Sequence, residues 1–76
     1  MTTAIVDIET DSLNATKIHC IVARSYETNK VKAWVGQECS EFASWSQQID
    51  TFVMHNGISF DAPVLNRLLG CNIKLS

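Results

Sequence analysis

Three carboxylates in this chain stand where an acid needs a reason. Asp7 and Glu9 interrupt a short run otherwise built from alanine, isoleucine and valine, Ala4-Ile5-Val6-Asp7-Ile8-Glu9. Charged residues are rarely buried unless they are paired or bound to metal. In a strand, residues two apart share a face, with Cα atoms roughly 6.5–7 Å apart. Two carboxylates so spaced can share a pair of divalent ions held ~4 Å apart, the arrangement used for in-line phosphoryl displacement. Asp61 heads a later apolar-periodic segment, shortly after His55-Asn56-Gly57 and directly after Phe60. Each acid also has a plainer role. Asp7 could cap a turn with Glu9 beyond the strand end, and Asp61 could satisfy free backbone N–H groups at a helix start. The combination carries the weight: strand carboxylates, then a strand ending in Asn, then an acid at the next helix. An all-oxygen donor set favours Mg²⁺ or Mn²⁺ over zinc.

The elements that must hold these residues follow from periodicity. Ala4 to Glu9 reads as a largely buried central strand, and Thr10-Asp11-Ser12 as a turn. Lys17 to Tyr26 reads as a second strand, and Glu27-Thr28-Asn29-Lys30 as a hairpin connection with Asn29 left-handed. Val31 to Val35 alternates as a half-exposed third strand. Phe42, Trp45 and Ile49 then fall three and four apart, predicting a helix from about Ser40-Glu41. Thr51 to Met54 is a fourth strand. Phe60, Val64, Leu65, Leu68 and Leu69 form a second helical stripe, with Pro63 in the first turn and Gly70 as a left-handed stop. Trp45 and Leu68 are the expected anchors of the two helices on the sheet. Three strands joined by short connections should be antiparallel, and the fourth, reached through a helix, can return parallel to the first. The expected fold is therefore α/β: a mixed sheet of three antiparallel strands plus a parallel fourth, with two helices. The fourth strand is expected at an apolar edge. The residues after Gly70 read as the approach to an element lying beyond this sequence.

Composition bounds the possibilities. A chain of 76 residues is one small domain or part of a larger one, and 46% hydrophobic content is that of a globular chain. The three cysteines, Cys20, Cys39 and Cys71, fit neither a disulfide framework nor a zinc site and read as buried thiols of a reducing compartment. The start of the chain lacks the features of a signal peptide, and nothing approaches a membrane span, so a soluble cytoplasmic protein with no membrane partner is expected. With net charge −2 and scattered basic residues, this piece is not built for duplex binding driven by counterion release. Gripping one strand end through metal ions needs less basic surface.

Asp7-Ile8-Glu9-Thr10, followed by Leu13, resembles the first motif of the DEDD-type 3′–5′ exonucleases. His55-Asn56-Gly57-Ile58-Ser59-Phe60-Asp61 resembles their second motif. The surrounding wording, notably Lys17-Ile18-His19-Cys20 and Phe60-Asp61-Ala62-Pro63-Val64-Leu65, is most similar to the amino-terminal proofreading domain of family A DNA polymerases from short-tailed phages. The resemblance spans nearly the whole chain. It implies a ribonuclease-H-like fold, two Mg²⁺ or Mn²⁺ ions in the complete site, and a single-stranded DNA 3′ end as substrate. By the same resemblance Asp7 would bridge both metals, Glu9 would bind one and orient the attacking water, and Asp61 would hold the second, partly through water. His55 and Asn56 would support the strand terminus or the neighbouring carboxylate. Thr10 and Phe60 belong to the same substrate-binding surround. Leu13 would wedge against the terminal base, or else be a plain core leucine.

The family's third motif, a Tyr or His followed after three residues by Asp, is missing from these 76 residues, since the only tyrosine is Tyr26 in the hairpin. The expected reading is thus a single partial exonuclease domain over residues 1–76, truncated before its site is complete. Its partner would be the remaining part of a DNA polymerase or exonuclease. For a phage protein the compartment would be the host cytoplasm. Two alternatives stay open: a catalytically inert docking fragment of a split polymerase, and an RNA-trimming exonuclease of the same fold.

Overall fold

A computed structural model of the chain describes residues 2–12, 14–54 and 60–73. Its centre is β1 (Thr3–Thr10), flanked by β2 (Ile18–Ser25) on one side and β4 (Thr51–Met54) on the other. With β3 (Val31–Val35), the sheet runs β3-β2-β1-β4. The β1–β2 and β2–β3 pairs are antiparallel, and β4 lies parallel to β1. Two helices complete the fold, α1 (Phe42–Ser46) and α2 (Ala62–Leu69), with a 3₁₀ turn over Gly36–Glu41 leading into α1. The mixed α/β sheet read from the sequence is the observed one. Among the described residues no helix is long and apolar enough to cross a membrane.

Local chemistry explains the turns. Asn29 takes the left-handed conformation at φ 64°, tolerated because its short amide can bond locally. Its Oδ1 accepts from Arg24 at 2.8 Å, and its backbone N–H donates to the Ser25 carbonyl, closing the hairpin. Gly70 ends α2 at φ 70°, a backbone region without penalty for glycine.

The core lies on one face of the sheet. Ala4, Val6 and Ile8 of β1, Ile21 and Ala23 of β2, and Trp34 of β3 are all buried there. Phe42 of α1 and Leu65 of α2, both fully enclosed, join the same cluster. Trp34 stands edge-on to Phe42 with ring centroids 5.0 Å apart, and Trp45 tilts against both. Such pairs add roughly 0.5–1.5 kcal/mol beyond area burial.

Several expectations shift. The stripe Phe42, Trp45, Ile49 does not form one helix: the turn begins at Gly36 as 3₁₀ and α1 ends at Ser46, leaving Ile49 past it. Phe42, not Trp45, is the fully buried anchor of that segment. On α2 the anchor is Leu65, while Leu68 is half-buried. On β3 the inward residue is Trp34, and Val31 and Val35 face outward. Residues 71–73 pack back onto the fold. Cys71 and Ile73 are buried, and the Asn66 amide grips Ile73 from both sides, accepting its N–H at 2.9 Å and donating to its carbonyl at 3.0 Å.

These packing assignments rank the leucines of α2. Leu65→Ala should destabilise by about 2–5 kcal/mol, most of what a domain of this size holds. Leu68→Ala should cost clearly less, because its side chain already meets solvent. Urea denaturation followed by tryptophan fluorescence measures both, and the order Leu68 above Leu65 would refute the packing described.

Candidate metal-carboxylate site

The pleat of β1 decides where its acids point. Burial alternates along the strand, with Ala4, Val6 and Ile8 inward and Asp7 and Glu9 exposed on the opposite face. The two carboxylates do share a face, as their spacing predicts. They are not buried charges, however, since that face of the strand is open to solvent. In the pairing register Asp7 lies beside Val22 and Glu9 beside Cys20. The register slips between Glu9 and Thr10, so the acid pair sits next to a bulge. Bulges commonly re-aim side chains beside sites.

Asp61 is placed differently. It immediately precedes α2 in helical conformation, at φ −60° and ψ −51°, and is 4% exposed. Its side chain makes no hydrogen bond that caps α2. It follows a strand parallel to β1, and sites in α/β proteins gather where parallel strands end. Among the described residues, no group of three or more His, Cys, Asp or Glu side chains is placed to hold a metal ion. The exposed pair Asp7 and Glu9 suits a hard cation by its oxygen donors, but Asp61 does not close a ligand set with them.

The other expected site residues divide. Leu13, His55 and Asn56 lie outside the described residues. Phe60 is half-buried and packs against the core. Thr10 uses its hydroxyl locally, donating to the Ser12 carbonyl at 2.9 Å. His19 is exposed on β2, and Tyr26 is 72% exposed just past the end of that strand. Burial pushes the Cys39 and Cys71 thiols up from their ordinary values, and Cys39 Sγ lies 3.5 Å from the Trp34 carbonyl it donates to. Both are buried thiols, as expected; Cys20 is only half-buried.

Asp11, beside the acid pair, does more than occupy the turn that its sequence predicts. The Asp11 carboxylate accepts from Thr16 Oγ1 at 2.7 Å and from the backbone N–H groups of Thr16 and Lys17. The Asp11 N–H returns to the Lys17 carbonyl at 3.2 Å, so one side chain ties together the connection from β1 to β2. An Asp followed after five residues by Thr is too common a pattern to have marked it. The chain matches no protein-family model and no curated protein.

The Asp11 clamp has a pH signature. Its hydrogen bonds, led by that from the Thr16 hydroxyl, lower its pKa from 3.8 to about 2. A carboxylate depressed by folding stabilises the fold above its unfolded pKa, and the contribution fades as pH falls toward the folded value. The difference in Tm between wild type and Asp11→Asn should therefore hold at neutral pH and shrink as pH falls from roughly 5 to 2. Melting curves across that range test it, and a pH-independent difference would show that the charge of Asp11 plays no part.

Proposed function

We propose that these residues form the amino-terminal part of a DEDD-type, ribonuclease-H-like 3′–5′ exonuclease domain that trims single-stranded DNA from its 3′ end. The observation that carries the reading is the exposed pair Asp7 and Glu9 on the central strand, with β4 parallel beside it and leading toward Asp61. The motif resemblance of Asp7-Ile8-Glu9-Thr10 and of the stretch ending Phe60-Asp61 supports the same reading. Asp7 and Glu9 would hold the metal, with Asp61 the third carboxylate. Bound Mg²⁺ or Mn²⁺ supplies a lowered pKa for the attacking water and charge stabilisation at the leaving oxygen. The chain's own part is to present two oxygen donors on a strand paired with β2 beside them, just past the end of the pairing with β4. A Tyr-x-x-x-Asp or His-x-x-x-Asp motif is missing from the 76 residues, so the remaining ligand has to come from another segment of the same or a partner polypeptide.

A second reading rests on its own observation. The sheet face that bears the acids also exposes four valines, Val22 39%, Val53 49%, Val35 60% and Val31 64%, with the exposed Arg24 among them. A folded module that docks onto a separate polymerase chain, without catalysing anything itself, would use such a face.

Two measurements separate these readings. Calorimetric titration with Mn²⁺ should show binding that is lost in Asp7→Ala; equal affinity in both proteins would sink the metal site. Degradation of a 3′-labelled oligonucleotide with Mg²⁺ should be near background for the chain alone, because misplacing a catalytic group by ~1 Å already costs roughly a hundredfold. Activity should appear when the segment carrying the missing ligand is supplied. Metal binding without activity under either condition favours the docking module.

A further inference from the structure

A cleft lies at the other end of the sheet from the acids. With a volume of about 410 Å³, it opens between the start of β1, the β2–β3 hairpin and the end of α1. Its size falls in the range of small-molecule sites, roughly 300–1,000 Å³. Apolar residues line its interior: Ala4 and Ala23, both buried, with the half-buried Trp45 and Ile49. Lys30 and Lys32 also line it, and no carboxylate does so among the described residues. In a chain of net charge −2, two of six basic residues at one apolar cleft is a local inversion of sign.

Two acids bond the start of β1 at the edge of the cleft without lining it. Asp50 accepts from the Thr2 N–H at 2.8 Å, and Glu27 accepts from the Thr3 N–H at 2.9 Å. That bond to Thr3 is the main cause lowering the Glu27 pKa. Lys32 Nζ lies 5.5 Å from the centre of the Trp34 ring, and Lys32 also borders a neighbouring depression lined by Glu38 and Glu41. Trp34 in turn meets Trp45 in a tilted contact, ring centroids 5.0 Å apart. The cleft thus combines an indole wall, an apolar floor and two ammonium groups.

We propose that this cleft binds a planar heteroaromatic ring carrying a phosphate, a ligand of the nucleoside monophosphate class, with the ring faces on its apolar surface. A ring fits the surface formed by Trp45, Ile49 and the two alanines. A phosphate, with nearly two negative charges at neutral pH, matches two lysines that act as point charges. The site is independent of the carboxylate pair: Ala4 and Glu9 are five positions apart on one strand, roughly 17 Å at the rise of a strand.

The test uses the whole chain and its two tryptophans, both at or beside the cleft, as reporters. Thymidine 5′-monophosphate, thymidine and inorganic phosphate are titrated separately, with Trp fluorescence and calorimetry as readouts. The nucleotide should bind, and thymidine or phosphate alone should bind roughly tenfold more weakly or worse, since each lacks one half of the recognition. Lys30→Gln combined with Lys32→Gln should weaken the nucleotide by a similar factor and leave thymidine unchanged. Both lysines are exposed, so the variant should keep the wild-type circular dichroism. Asp7→Ala should leave nucleotide binding intact, which separates this site from the metal-carboxylate reading. Equal affinity for thymidine and its monophosphate, or an unaltered affinity in the double lysine variant, would overturn the proposal.

Discussion

Successive side chains of a strand leave on opposite faces, and that alternation in β1 governs both the core and the site. Burying Ala4, Val6 and Ile8 commits Ile5, Asp7 and Glu9 to the other side. A slip of one residue would exchange the two sets, placing carboxylates in the core at a cost no domain of this size could offset. The register is pinned from both sides: seven residue pairs link β1 to β2, and four link it to β4. The helices then have one apolar face to cover, and Phe42 and Leu65 meet on it.

What could be read from the sequence was whatever depends on local chemistry. Asn29 and Gly70 take the left-handed backbone their residue types allow, and the four strands fall where β-branched runs occur. The inward face of β3 was not legible. Alternation offers two faces, and only the pairing of Trp34 with Ile21, itself opposite Ile8, chooses between them. Helical spacing likewise marks a stripe without ranking its members, so Leu65 could not be told from Leu68 before the packing was known. The short α1 defeated the period altogether. The polar stretch Gly36–Glu41 winds as 3₁₀, where Glu38 reaches back to the Val35 N–H at 3.3 Å, and little of the stripe is left for the α-helix.

The candidate site was legible to the same degree. Sharing of a face by Asp7 and Glu9 follows from a period of two and is present. Their joining with Asp61 depends on the arrangement of separate elements, which no spacing along the chain encodes. Asp61 is enclosed at the head of α2 while the pair on β1 is open to water. The Asp11 clamp escaped notice for a related reason: three of its acceptor contacts go to residues whose types are ordinary, and only the folded loop brings them within reach.

The parallel pairing of β4 with β1 has a kinetic side. Thr2 and Asp50, which bond where the two strands begin, stand 48 residues apart in the chain. The β2–β3 hairpin, by contrast, closes over a few residues around Asn29. Contacts of long sequence separation form after the loop entropy between their ends has been overcome, so local hairpins precede them. β4 is also only four residues long, at the sheet edge, with every second residue exposed. The strand that leads toward Asp61 should therefore be the last to zip onto the sheet during folding. It is also the first place where the native protein should exchange amide hydrogens through local opening.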